Sequence, residues 1–335
     1  MITVENATKT FWTSTGQVVA IDDVSIELAP GAITGVVGPA GSGKSTLAKL
    51  VSLQERPDSG VVRVEGYNTA ALDQRRLRAA RRRIGVVGQG EQLPQRTAAG
   101  NIAMPLEQAG IDGRQRRERV DALLDRIGLD TRANVLPADL SPGQRARVEI
   151  ARALVGDPGL LLADDPTRGL DGDGSAVVLA VLDRARSELG TTVLVTTGDA
   201  AVARRIADDV ALLADGRVAG SGSVLSLIQD PTSPVADALL PAIDTPDSVR
   251  TQHDRTAEVV LIGFAAVGAL LPEASGRFGT DVSVIGGGLT RVGETPVARF
   301  LLGVSGPQAD STLSWIGERG GVVKRPARGP EGIAA

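Results

Sequence analysis

The sequence predicts an α/β protein: a parallel sheet covered by helices, followed by a small α+β domain. Three observations predict it. Apolar runs of strand length alternate with stretches of helical periodicity as far as Ala214, the pattern of a parallel sheet buried on its faces. A glycine-rich loop ending in Lys44-Ser45 joins one of those strands directly to a helix. After a proline-rich stretch the pattern restarts in the order βαββαβ, the split βαβ of a ferredoxin-like domain.

The elements follow in order. Residues 2–37 read as short strands, with Val18–Leu28 ended by Ala29-Pro30-Gly31 and Ile33–Val37 running into the glycine-rich loop. From Ser45 the pattern suits a helix to about Gln54, then a turn at 56–60 and a strand at Val61–Glu65. Ile84–Val87 is a further strand. Residues 97–155 are mainly helical, and Arg114–Ile127 carries apolar residues at 120, 123, 124 and 127, one face of a helix capped by Gly128. This helical stretch, about 90–155, interrupts the alternation and reads as a subdomain inserted between two core strands. Leu160–Ala163 is a buried strand ending in Asp164-Asp165, Val177–Leu189 a helix, and Thr192–Thr196 and Val210–Ala214 two more strands.

Residues 229–256 hold Pro231, Pro234, Pro241 and Pro246 among polar residues and read as a linker with one short helix at 233–240. Beyond it come strand 258–264, helix 267–278, strands 281–285 and 297–304, helix 308–318 and strand 321–324. The expected domains are therefore 1–228, the linker 229–256, the ferredoxin-like domain 257–325 and a flexible tail 326–335.

Composition narrows the function. Aromatic residues make up only 2% of the chain, so its cores must be built from Val, Leu, Ile and Ala. There is no cysteine, which excludes disulfides and thiolate metal sites. The net charge of −4 weighs against a general nucleic-acid binder. One run, 75–83, nevertheless holds six arginines (75, 76, 78, 81, 82, 83) and reads as a solvated helix face or a docking patch. Residues 1–5 have neither the basic start nor the apolar core of a secretory signal. The longest apolar run, Val259–Leu271, has 13 residues, short of the ~20 that a membrane span needs.

The sharpest motif is Gly38-Pro39-Ala40-Gly41-Ser42-Gly43-Lys44-Ser45-Thr46. It fits G-x-x-x-x-G-K-[ST] between a strand and a helix. Glycines let the backbone turn its N–H groups inward on phosphate oxygens, and the new helix adds its positive end. Lys44 is placed to reach the β- and γ-phosphates of ATP, and Ser45 to ligate Mg²⁺. The strand 160–163 ends in Asp164, a carboxylate suited to hold Mg²⁺ directly or through water.

Leu140-Ser141-Pro142-Gly143-Gln144 and the arginine-rich stretch 145–154 complete a second pattern. Together with the phosphate loop they resemble the ATP-binding cassette (ABC) family, whose signature loop is usually Leu-Ser-Gly-Gly-Gln. The resemblance covers about 1–230 and implies a P-loop core of the ABC ATPase type with an inserted helical subdomain. The stretches 95–97 and 101–107 resemble the methionine-importer branch. So does a C-terminal region similar to its small substrate-sensing (NIL-type) domain, with Pro272, Phe278–Val282 and Gly286-Gly287 as marks.

The resemblance implies further roles. Phe11 matches the aromatic residue that stacks on adenine, and Gln89 the glutamine that touches Mg²⁺ or water. Ser141 and Gly143 match signature residues that close on a γ-phosphate held by a second ATP-binding subunit. Asp171 matches the aspartate of the loop after the metal strand. Ser141 before Pro142 also has the form of an N-cap with proline at N1, a helix start suited to phosphate.

The departures from the family pattern are specific. Asp165 stands where a glutamate handles the attacking water, one methylene shorter. Thr197 stands where a histidine contacts the γ-phosphate; the only histidine, His253, lies in the expected linker. Pro142 replaces a glycine and removes one backbone N–H. The expectation is an ATP-binding, weakly hydrolysing subunit of a methionine or related amino-acid importer, peripheral on the cytoplasmic face of the membrane. It would work as a homodimer or heterodimer with integral permease subunits. An extracytoplasmic solute-binding protein would be reached only through the complex, and a methionine-like ligand is expected at the C-terminal domain. The alternatives are a regulatory ATP-binding clamp without a transport role, a degenerate partner in a heterodimer, and, more weakly, a metabolic kinase, which would leave 140–144 unexplained.

Overall fold

The computed structural model describes residues 2–14, 16–88, 93–230 and 232–324. The chain divides into two compact units, Met1–Gly222 and Ser223–Ala335.

The first unit opens with a long hairpin, β1 (Ile2–Thr13) and β2 (Gly16–Leu28), where short strands were expected. Register shifts at Val4/Ala7, Ala7/Lys9 and Lys9/Thr10 break the two-residue alternation by which a long strand is read. Then come β3 (Ile33–Val37), α1 (Lys44–Val51), β4 (Ser59–Val64), β5 (Tyr67–Asn68), α2 (Gln74–Arg82) and β6 (Ile84–Val87). The helical insertion consists of α3 (Ala98–Gln108), α4 (Gly113–Arg126) and α5 (Pro142–Leu154). The core resumes with β7 (Leu160–Asp164), α6 (Gly172–Leu189), β8 (Thr192–Thr197), α7 (Ala200–Ile206), β9 (Asp209–Ala214) and β10 (Arg217–Ser223). Helix α6 starts before the expected Val177, because Gly172–Gly174 is its first turn: the Asp171 side chain accepts the Gly174 N–H at 2.7 Å.

Two sheets result. The antiparallel one runs β2-β1-β4-β5 and the second β10-β9-β3-β8-β7-β6, with β9, β3, β8, β7 and β6 parallel. One face of the parallel sheet shares a core with the helical insertion, through Ile33, Leu161 and Val193 against Ile102, Leu124 and Val148. The other face packs with α1 and the antiparallel sheet, through Val36, Leu162 and Leu194 with Leu47, Val4 and Ile26. Because every parallel strand is covered twice, these strands are nearly continuous Val, Ile and Leu.

The second unit contains α8 (Val224–Gln229), α9 (Pro234–Leu239), α10 (Asp247–Arg250), β11 (Arg255–Ile262), α11 (Phe264–Val267), α12 (Leu270–Phe278), β12 (Asp281–Val292), β13 (Thr295–Ser305), α13 (Ala309–Glu318) and β14 (Val322–Lys324). Its antiparallel sheet has the order β12-β13-β11-β14, the ferredoxin-like arrangement. Two expectations need correction. Strand β12 does not stop at Ile285. It carries on past Gly286–Gly288 by a bulge, with Gly287 at φ 92°; a Cβ there would meet the Arg299 carbonyl oxygen at 2.0 Å. The helix expected at 267–278 is two helices separated at Gly268.

The segment 229–256 also differs from a plain linker. Ala298, Leu302 and Val304 of β13 join α13 in one core, so alternation turns Arg299, Leu301 and Gly303 to the opposite face. That face carries the segment. The Arg299 guanidinium donates to Asp237 and to Glu258 at 2.5 and 2.8 Å. Thr245 Oγ1 donates to the Ile285 carbonyl, and the His253 ring lies where a side chain on Gly303 would stand. Pro241, whose carbonyl accepts from Arg299 at 3.4 Å, thus belongs to a strap over the sheet.

Candidate functional site

The phosphate loop leaves β3 at Val37 and enters α1 at Lys44. Gly43 caps that helix in the left-handed region, φ 103°. Glycine is required at both ends of the loop. A Cβ on Gly38 would lie 2.1 Å from the Leu213 carbonyl oxygen, and one on Gly43 would lie 2.3 Å from that of Ala20. Gly41 also has positive φ, 81°. The Lys44 ammonium donates to the carbonyls of Gly38 and Pro39, at 2.7 and 2.8 Å, which holds it over the loop. Ser42 Oγ is buried without a hydrogen-bond partner. Ser45 and Thr46 lie in the first turn of α1, Ser45 exposed.

The register of three neighbouring strands brings the acids to this loop. Val37 of β3 pairs with Thr197 of β8, and Thr196 of β8 with Asp164 of β7. Thr196 Oγ1 donates to Asp164 Oδ1, fixing that carboxylate. Asp165 takes a left-handed backbone, φ 55°, and its N–H donates to the Thr196 carbonyl at 2.7 Å. Thr197 Oγ1 donates to Asp165 Oδ1 at 3.3 Å and accepts the Asp199 N–H at 3.0 Å. Burial lowers the Lys44 pKa below the usual lysine value, opposed by the nearby charges of Asp165 and Asp164.

Phe11 lies in β1 opposite Val18. Its ring shares a face with the Lys9 ammonium, 5.5 Å from the ring centroid. Lys9 is paired across the hairpin with Ile21, whose side chain abuts Gly43. Phe11 therefore stands on the strand arm that reaches the loop, while Trp12 points to solvent at 81% exposure. Lys9 is itself tied to Asp58 at 3.1 Å. The Asp58 pKa is lowered by the Thr10 backbone N–H and then by Lys9.

Ser141 caps α5 in a full capping box: its hydroxyl accepts the Gln144 N–H at 3.3 Å, and its own N–H donates to Gln144 Oε1 at 2.9 Å. Pro142 at N1 sits where the helix has no use for an N–H. Ser141, Gly143 and Asp171 line one cleft of about 470 Å³, which contains no residue of the phosphate loop. Asp164 and Asp165 line an adjoining cleft of about 540 Å³ together with Gly88 and Arg145, and the two clefts share Pro142 and Leu170. Lys44 faces Asp164 and Asp165, and Thr197 bonds to Asp165, while Ser141, Gly143 and Asp171 gather around the start of α5; these two groups are the chain's two half-sites. Gln89 lies outside the described residues. Thr196 was not anticipated, because its bond to Asp164 depends on strand register; only its place beside Thr197 hinted at it.

These residues fit a nucleoside triphosphate with Mg²⁺. The loop lets backbone approach where any Cβ would intrude, a buried hydroxyl is left unpartnered in it, and a fixed ammonium faces two carboxylates.

Comparison with known proteins agrees. A family model described as ABC transporter matches residues 21–168, and one described as NIL domain matches residues 255–325. A methionine import ATP-binding protein of Rhodococcus jostii is 39% identical, across 96% of this chain and 95% of that one. The protein of the same description from Thermobifida fusca is 39% identical, across 92% and 94%. Among solved structures, a dimeric ATP-binding cassette bound to ADP and Pi is 34% identical with a TM-score of 0.60, covering 67% of this chain and 98% of that one. A cassette from an ABC transporter complex of Clostridium perfringens is 26% identical with a TM-score of 0.62, covering 70% and 97%.

Proposed function

The chain belongs to the family of methionine import ATP-binding proteins, and from that premise we propose that it is the ATP-binding subunit of a methionine importer. The observation that carries this reading is the convergence of the Lys44 ammonium, Asp164 and Asp165 at the ends of β3 and β7, around a loop that only glycine can form.

Lys44 and the loop amides hold the triphosphate tail, and Phe11 takes the adenine ring. Ser45, Asp164 and, from its place in the sequence, Gln89 would hold Mg²⁺, which would supply neutralisation of phosphate charge. Asp165 orients the attacking water, and Thr197 holds one of its oxygens. Ser141, Gly143 and Asp171 serve the phosphate bound by a second subunit, through the Ser141 hydroxyl and the positive end of α5. Two subunits then close around ATP and open after hydrolysis, a two-state motion able to drive a permease.

No helix among the described residues is long and apolar enough to cross a membrane. On the importer reading, family membership puts the chain on integral permease subunits at the cytoplasmic face, where it meets an extracytoplasmic solute-binding protein only through them. The ferredoxin-like unit takes methionine or a close relative and holds the ATPase back when cargo is plentiful.

The Asp165–Thr197 bond favours a second feature, slow hydrolysis. The carboxylate is one methylene short and is drawn toward β8. A displacement of roughly 1 Å at a reacting group can cost on the order of 10²-fold in rate. A homodimer would carry this arrangement in both sites, whereas a heterodimer could gain one competent site from a fuller partner.

Two measurements test the reading. Lys44→Ala should weaken ATP binding on the order of tenfold to a hundredfold, the worth of charge-assisted bonds to phosphate; unchanged affinity would remove the basis of the proposal. ATPase assays of the chain co-purified with its permease should respond to methionine, and a rate indifferent to both permease and methionine would reject the importer assignment.

A further inference from the structure

The arginine run takes no part in the nucleotide site. We propose that helix α2 docks the protein on the anionic headgroups of a lipid bilayer through Arg75, Arg78 and Arg82.

The helix shows which arginines are available. Asp73 caps it by accepting the Arg76 N–H at 2.7 Å, and Leu77 is its one buried residue. Arg81 turns inward and donates twice to the Leu53 carbonyl, at 2.9 and 2.6 Å. Arg83, just past the helix, pairs with Glu65 at 2.7 Å. Arg76 lies 3.9 Å from Asp73. No carboxylate among the described residues pairs with Arg75, Arg78 or Arg82. At about 100° per residue these three fall within about 60° of one another, on the side turned away from Leu77. All three are exposed.

The composition of that face selects the partner. A protein interface needs an apolar or aromatic centre inside a polar rim. Within α2 itself the only exposed apolar residue is Ala79, and the helix has no aromatic residue. Guanidinium forks bind phosphate oxygens well without apolar help. The chain as a whole carries −4, so attachment to an anionic bilayer depends on a local positive face rather than on net charge. The inference stands apart from the nucleotide site and from the nature of the cargo.

Flotation of the full chain with vesicles tests it. The chain should rise with vesicles of equal phosphatidylcholine and phosphatidylglycerol, stay behind with phosphatidylcholine alone, and detach as salt is raised. The triple variant Arg75→Gln, Arg78→Gln, Arg82→Gln should lose roughly fivefold per arginine, on the order of a hundredfold together, with ATP affinity unchanged. The corresponding triple lysine variant should restore binding, which separates lost charge from lost fold. Failure of the unaltered chain to float with the anionic vesicles overturns the proposal, as does a glutamine variant that floats equally well. If the chain ignores vesicles but the glutamine variant no longer assembles with the permease in detergent, the face binds an acidic protein surface and the lipid assignment is wrong.

Discussion

At the scale of single residues, the phosphate loop has no slack. A methyl group on Gly38 would stand 2.1 Å from a backbone oxygen, which no rotamer can relieve. Gly38→Ala should therefore lower the melting temperature of the ligand-free protein as well as abolish ATP binding, whereas Gly41→Ala, open within 4 Å, should show only the strain of its positive φ. Differential scanning calorimetry would reveal the contrast, and equal losses would refute it. Lys44 gives a pH signature. Its pKa in the free protein lies below the usual lysine value because folding penalises the charged form. That penalty is present at neutral pH and relieved as pH rises, so this group alone adds stability on the alkaline side. ATP affinity should begin to fall at a pH below that expected of an ordinary lysine; a titration by fluorescence or calorimetry with an ordinary lysine break would contradict this. The loop and Asp164 were legible in the sequence because their spacing and flanking elements define them locally. The Thr196–Asp164 and Thr197–Asp165 bonds were not, because they join residues 32 apart through the register of β7 and β8.

At the scale of elements, the parallel strands were legible as apolar runs, whereas the bulged β1–β2 hairpin and the glycine-bearing β12 were obscured by their irregular backbone. The strap 237–254 was hidden more deeply, since proline and polar residues mark linkers and covering segments alike. Its anchor is Arg299, 8% exposed, held between Asp237 and Glu258. Arg299→Met should cost about 2 kcal/mol, less than a fully buried pair because Asp237 is half exposed. Arg299→Lys should cost less, as one ion pair survives. The chain has two tryptophans, and Trp315 lies in α13. Urea unfolding followed by Trp315 fluorescence in a Trp12→Phe background would read this unit alone. A midpoint unmoved by Arg299→Met would mean that the strap adds nothing to the stability of the sheet beneath it.

At the scale of the whole molecule, the two half-sites govern behaviour. Each chain offers a complete phosphate loop and, in a cleft without loop residues, a capped helix start with Ser141 and Gly143. Two chains related by a two-fold axis can satisfy both, and ATP is the ligand that joins them. How long they stay joined depends on Asp165. On the proposed reading, a carboxylate held short by Thr197 would make hydrolysis slow and let the closed dimer outlive many ordinary turnover times. Addition of ATP and Mg²⁺ should therefore convert the purified chain to a dimer that persists on size exclusion with light scattering. Asp165→Glu should shorten that lifetime and raise ATP turnover, and adding Thr197→His should raise it by more than the two single changes combined, because each residue now restrains the other. A native dimer that dissociates as fast as the Asp165→Glu form, or additive effects of the two substitutions, would show that the Asp165–Thr197 bond does not set the rate of opening.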